Sequence, residues 1–346
     1  MSDLLVLGNI TIDDVVTADG KISPTQLGGN GVYAAAGVRL WDHPVSLVGV
    51  IGNDFPRELL GLLESAGVNV DGIHKVDMPH FLRSRVFYLL DGTRTDRVQE
   101  AASILSPHAG EVIDLVSEYT EMGSALHRRY WPIFAPHPEL LRREHFKARY
   151  THLSPGPLNN NRGNATALKQ GSNRRMQISM DWPWWDWDRE AIADPALLAN
   201  IDFLLPSKEE FAMHADALAT PDWTLVGNAL LALGPRVLAI KMSSRGAQVL
   251  LPGNADWAHI PVFPTTAIDP TGAGDSFCGG FIVGMAETGD PLRAALYGAV
   301  SASFIIENFG FIDSLRIHGT QARARLEVLE TQCPSMRLTN QNKDLL

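Results

Sequence analysis

The run Ala267-Ile268-Asp269-Pro270-Thr271-Gly272-Ala273-Gly274-Asp275-Ser276-Phe277 reads as an extended arm, a glycine-rich turn, and then a helix whose first turn carries an aspartate. A helix start gathers unpaired amide N–H donors at the positive end of the dipole, so it holds anions, and glycines let the backbone come close to a phosphate. A carboxylate beside that start can take the proton of a hydroxyl that attacks a bound phosphoryl group, while the amides hold the transferring oxygens. The same letters fit an aspartate that begins a buried helix with glycines for packing. The stretch alone leaves both readings open.

Beyond it, Ala273 to Ala286 is a helix rich in small residues (Gly279, Gly280, Gly284), which admits a close backbone neighbour at some cost in helix propensity, and Pro291 to Asn308 is another helix. Near the other end, Leu4 to Leu7 and Val45 to Val50 are apolar runs closed by Gly8-Asn9 and Gly52-Asn53-Asp54. Helical spacing fills Gly31 to Leu40 and Pro56 to Ala66. This β, helix, β, helix order predicts a parallel sheet. Tyr150 to Leu153, Met176 to Met180, Ile201 to Leu205 and Arg236 to Ile240 resume the alternation. Arg83 to Leu90, Asp91-Gly92 and Thr93 to Val98 read as a hairpin on a type I′ turn. Its Arg-rich second arm cannot be a central strand, so it is expected outside the main sheet as a flap. Residues 107–149 are helical in pattern, interrupted by prolines, and assigned no role.

The chain has 346 residues, 45% apolar and 20% charged, enough for a substantial core and without the long apolar run of a membrane span. A net charge of −10 disfavours nucleic acid as a partner. Cys278 and Cys333 fall outside any disulfide or zinc spacing. The start Met1 to Gly8 lacks a basic segment before its apolar stretch, so it reads as a first strand, and the cytoplasm is the expected location. No Walker A pattern occurs, so any ATP use must rely on the Asp269–Asp275 loop.

That loop resembles the C-terminal signature of the ribokinase/PfkB carbohydrate kinase family. Further family landmarks stand in order: Gly8-Asn9-Ile10-Thr11-Ile12-Asp13, Leu27-Gly28-Gly29-Asn30-Gly31, Gly49 to Phe55, Pro206-Ser207-Lys208-Glu209-Glu210, and Ile240-Lys241-Met242-Ser243-Ser244-Arg245-Gly246-Ala247. The resemblance covers about residues 4 to 315. It implies a ribokinase-like α/β fold: a central, mostly parallel sheet with helices on both faces and a small β lid. The kinase domain is expected over 1–330, with lid strands near 11–27 and 82–100 and a polar tail at 331–346. It also implies Asp275 as catalytic base, with the amides of Gly272, Ala273 and Gly274 as anion hole. Asp13, Gly28, Gly29, Asn30 and Tyr33 would bind the substrate. Ser207, Glu210, Ser243 and Gly246 would serve the nucleotide, with Glu210 ordering water around Mg2+. Asp269, Thr271, Gly310 and Ser314 fall where many members hold a monovalent cation such as K+. ATP and a small sugar are the implied partners, and a homodimer through the lid is a family habit.

Departures bear on the substrate. Ser207 replaces the Asn of Asn-x-x-Glu, Tyr33 replaces an Asn that contacts sugar in ribokinases, and Ser243 replaces a usual Gly. The tryptophan-rich run Asp181 to Trp187 fits core packing or sugar contact, and Arg85, Arg94 and Arg97 fit solvated flap charges or an anionic substrate group. Three alternatives stay open: a nucleoside kinase of the same fold, a non-catalytic sugar-sensing regulatory protein, and a dinucleotide-dependent oxidoreductase. The last rests on Gly29-x-Gly31-x-x-Ala34, which does not directly follow the first strand.

Overall fold

Leu4–Leu7 is apolar at every position because it becomes an interior strand, β1, with both faces covered. The computed structural model describes residues 3–89, 94–95, 124–182, 194–317 and 319–333. Twelve further strands follow among these residues: β2 (Thr11–Val16), β3 (Ile22–Gly28), β4 (Val45–Ile51), β5 (Val68–Lys75), β6 (Arg83–Tyr88), β7 (Arg94–Thr95), β8 (Tyr150–Leu153), β9 (Gln177–Met180), β10 (Phe203–Leu204), β11 (Val237–Lys241), β12 (Ala247–Leu250) and β13 (Ala258–Ile260). The main sheet runs β13-β12-β11-β10-β9-β8-β1-β4-β5. It is parallel from β5 to β11, and β12 and β13 add an antiparallel edge. The chain builds outward from β1 in two directions, toward β4 and β5 and toward β8 to β11. In such sheets the crevice at the carboxyl ends of the strands, where the order reverses, is where ligands bind.

The helices are α1 (Asn30–Arg39), α2 (Arg57–Ser65), α3 (Ser124–Phe134), α4 (Leu158–Gly171), α5 (Pro195–Leu198), α6 (Lys208–Ala217), α7 (Trp223–Leu231), α8 (Ala273–Thr288), α9 (Pro291–Ile305) and α10 (Gly319–Gln332). Alternation along β1 sends Leu4 and Val6 into one core, with α1, α2, α8, α9 and α10, and Leu5 and Leu7 into another, with α4, α5, α6 and α7. Helices therefore cover both faces.

A second sheet, β3-β2-β6-β7, stands apart from the first. Here β2 pairs antiparallel with β3 and parallel with β6, and β6 pairs antiparallel with β7. The expected flap arms thus join the strands near Asp13, while the Asp91-Gly92 turn lies outside the described residues. The alternation missed β5, β12 and β13. β5 carries Asn69, Asp71, His74 and Lys75 at a sheet edge, so it lacks a buried strand's continuous apolar run.

Helix α8 lies tight against α1 because a side chain at Gly279 would overlap the Ala34 carbonyl oxygen. Gly279→Ala is therefore expected to destabilise by about 1–3 kcal/mol through overpacking. Gly61→Ala, in α2 with nothing within 4 Å, should instead stabilise by about 0.5–1 kcal/mol through helix propensity. Denaturant unfolding of both variants checks the pair, and a Gly279→Ala protein as stable as the parent would contradict the close approach.

Candidate active site

The start of α8 is capped by backbone and not by a side chain: Ala273 N donates to Pro270 O at 3.3 Å. Gly272 is its N-cap, in the left-handed region at φ 73°. A Cβ on Gly272 would fall inside the Tyr33 ring, so the aromatic face of Tyr33 rests directly on the loop. Asp275 stands in the first turn, half-buried.

Facing this loop is Asp13 of β2, only 4% exposed. Thr11 Oγ1 donates to its Oδ1 at 2.5 Å. The other carboxylate oxygen lies against Gly28, where any side chain would overlap it. Burial, followed by the neighbouring charges of Asp14, Asp269 and Asp275, pushes the Asp13 carboxyl up to about 7 against the opposing Thr11 bond. The residue that ties down the nearby loop is Asp14, whose Oδ1 accepts from Thr25 N at 2.7 Å. Tyr33 is buried, and its hydroxyl has no hydrogen-bond partner among the described residues. Burial raises that hydroxyl, and Asp13, Asp269 and Asp275 add to the effect, so these four side chains share one environment.

Asn30 is used differently from the sequence expectation. Its Oδ1 accepts from Asn9 N and its Nδ2 donates to Pro155 O, both at 2.7 Å, so the amide pins the exit of β1 to the segment after β8. Asn9, which sequence reasoning passed over, is fully buried beside the di-glycine, and neither of its side-chain amide atoms has a partner among the described residues. Polar atoms of Asn9 and Tyr33 are thus left unsatisfied by the described residues. Such atoms suit a ligand rich in hydroxyl groups.

Asp269, Thr271 and Gly310 come together: Asp269 Oδ1 accepts from Thr271 N at 2.9 Å and Oδ2 from Gly310 N at 3.4 Å. Ser314 is buried and bonds the Phe311 carbonyl. Tyr88 of β6, also missed, places its hydroxyl 2.6 Å from Thr271 Oγ1 and so ties the small sheet to the α8 loop.

Ser207 and Glu210 form a capping box on α6. Ser207 N donates to Glu210 Oε2 at 2.6 Å, and Glu210 N donates to Ser207 Oγ at 3.3 Å. Burial and then the Asp181 carboxylate push Glu210 up to about 7, with Lys241 opposing. Ser243, at φ 55°, and Gly246, at φ 81°, make the exposed turn between β11 and β12, and β11 neighbours β10, from which α6 departs. The two groups therefore line one edge of the sheet. A buried pair, Lys241 with Asp181, closes the same edge. Of the tryptophan run, Trp182 is buried in the core near His214, and residues 183–187 lie outside the described residues, as does Arg97.

Residues 159–317 match the family described as pfkB family carbohydrate kinase. Cytidine kinase of Thermococcus kodakarensis is 25% identical over 315 residues, 90% of this chain and 98% of that one. The ATP-dependent ribose-1-phosphate kinase of Halopiger xanaduensis is 27% identical over 304 residues, 85% and 87% of the two chains. The structure of Arabidopsis thaliana ribokinase complexed with ribose and ATP superposes with a TM-score of 0.67 at 20% identity, covering 94% of this chain and 99% of that one. Among the described residues, no helix is long and apolar enough to cross a membrane.

The raised Asp13 carboxyl has a consequence for stability. Its pKa in the unfolded chain is near 3.8, so between about pH 4 and 7 the folded state holds a proton that the unfolded state has lost. Stability therefore falls as pH rises through that window, by up to about 1.4 kcal/mol per pH unit. Asp13→Asn removes the titration. The variant should match the parent near pH 4 and melt at a progressively higher temperature than the parent toward pH 8. A difference independent of pH would mean that Asp13 ionises without penalty.

Proposed function

We propose that the chain, which over residues 159–317 matches the pfkB family carbohydrate kinases, is a phosphotransferase with an alcohol acceptor and that Asp275 is its general base toward a hydroxyl of a sugar or sugar-like molecule. The observation that carries this reading is the left-handed start of α8, which no side chain caps, with Asp275 in its first turn, set opposite the buried carboxylate of Asp13.

ATP supplies the γ-phosphoryl group when bound, and Mg2+ offsets the charge of its phosphates. Asp13 accepts hydrogen bonds from acceptor hydroxyls, a role that a carboxylate with two oxygens performs well and that discriminates against analogues lacking those groups. The absence of a side chain at Gly28 leaves room for the Asp13 carboxylate against the backbone there. Asp275 takes the proton of the attacking hydroxyl, and the amides of Gly272, Ala273 and Gly274 bind the oxygens that gather charge. Glu210 has its carboxylate beside the nucleotide edge, where it can order water on Mg2+. The linked loops of Asp269, Thr271 and Gly310, with Ser314 close by in sequence, support a monovalent cation beside the anion hole. A nucleoside acceptor is the second reading, favoured by the similarity to cytidine kinase over nine-tenths of the chain.

The test is ADP release with Mg-ATP across pentoses, hexoses, polyols, sugar acids and nucleosides, in K+ and in Na+ buffers. At least one acceptor is expected to turn over, and none across the panel would favour the regulatory reading. With that acceptor, Asp275→Asn should lower kcat by about 100-fold or more and leave nucleotide affinity nearly unchanged. Retained turnover would remove Asp275 from the role of base.

A further inference from the structure

Lys241 ends β11, and its ammonium forms an ion pair with Asp181, the residue that follows β9. The two side chains are 12% and 5% exposed. A second neighbour is the Cys278 thiol of α8, with Sγ 3.7 Å from Nζ. The third is the anion-hole loop: a Cβ placed on Gly274 would stand 3.5 Å from Nζ. An ammonium carries three donors. Asp181 and the weakly accepting thiol use two, and the remaining side is that of Gly274.

A buried ion pair is weak evidence of a stabilising role, because desolvating two charges offsets much of their attraction and apolar replacements are often as stable. The position of this one suggests another use. The surrounding carboxylates, Asp275 and Glu210 among them, repel a polyphosphate, whereas the loop amides offer only partial charges. Burial alone would lower the Lys241 pKa, but Asp181, Cys278 and Glu210 outweigh it, so the ammonium stays protonated.

Resting on the kinase reading above, we propose that Lys241 is a further catalytic residue, contacting the phosphoryl group in transfer from the Gly274 side, and that Asp181 is the positioning residue that holds its ammonium there. As the acceptor oxygen forms its bond to phosphorus, the bond from phosphorus to the β–γ bridging oxygen breaks and ADP leaves with the electron pair. The hydroxyl proton goes to Asp275. Lys241 keeps its protons throughout and acts by charge and hydrogen bonding.

Binding of the non-hydrolysable analogue AMP-PNP and of ADP, each with Mg2+, separates this role from a structural one, because only the analogue carries the third phosphate group. Lys241→Gln should weaken AMP-PNP at least about tenfold while moving ADP less than about twofold, the loss expected for a charge-assisted contact. With a working acceptor, kcat should fall about 100-fold with little change in the acceptor KM, and Lys241→Arg should restore part of it. Asp181→Asn keeps the lysine but loosens it, and should show the same AMP-PNP selectivity at smaller size. Equal weakening of both nucleotides, or an unchanged kcat in a folded Lys241→Gln protein, would overturn the proposal. If Lys241→Gln does not fold, the AMP-PNP to ADP ratio of Asp181→Asn decides. A parent enzyme without turnover on any acceptor would defeat the kinase reading instead, and the nucleotide comparison would still be readable.

Discussion

The site depends on one contact, the close approach of α8 to α1. Side chains at Gly37 and Gly279 would overlap backbone of the opposite helix, at Ser276 and Ala34 respectively, so the two helices meet nearly backbone to backbone. Each helix begins at one half of the site. Helix α1 starts just after Gly28 and Gly29, against which Asp13 rests, and α8 starts at the Gly272 loop with Asp275 in its first turn. Tyr33, in the first turn of α1, lays its ring on Gly272 and closes the join. Reaction between two bound groups needs their separation held to a fraction of an ångström. A packed helix pair does this better than loops would, because interiors of this density resist small displacements.

The small sheet is fastened to both halves as well. Asp13 belongs to β2, and β6, its parallel neighbour, carries Tyr88 to Thr271. A movement of this sheet would therefore shift Asp13 and the Thr271 loop in concert. Apolar contacts join it as well: Ile12 of β2 and Leu27 of β3 are buried in the main core, while Val15, Val86 and Tyr88 form a smaller cluster with Phe309 against it.

How far the sequence was legible follows from the range of each interaction. The Asp269–Asp275 loop and the alternation of strands and helices are local, and period and glycine placement carry them. Strands β5 and β13 lie at the edges, where half-exposed polar residues replace the apolar runs that mark interior strands, and β12, one place in from β13, is only four residues long. Asp13 and Asp14 were indistinguishable as letters. Only the fold shows that one is pressed against Gly28 and the other holds Thr25. Lys241 and Asp181 are 60 residues apart and meet because β9 and β11 flank β10, so no window along the chain could pair them. A charged residue at the end of an otherwise buried strand was the one available signal, and both have it.

The charges divide the site into unlike halves. On the side proposed for the acceptor, burial and then the carboxylates of Asp14, Asp269 and Asp275 push the Asp13 carboxyl up to about 7. On the side proposed for the nucleotide, a protonated lysine is held in place among Asp181, Glu210 and Cys278. The Gly272–Gly274 loop lies between them at the start of α8, whose positive dipole end favours an anion. Carboxylates suit hydroxyl donors, and an ammonium suits phosphate oxygens. In the proposed arrangement the polarity of the pocket therefore gives each reactant its own side, and it repels one in which the phosphates lie on the side of Asp13.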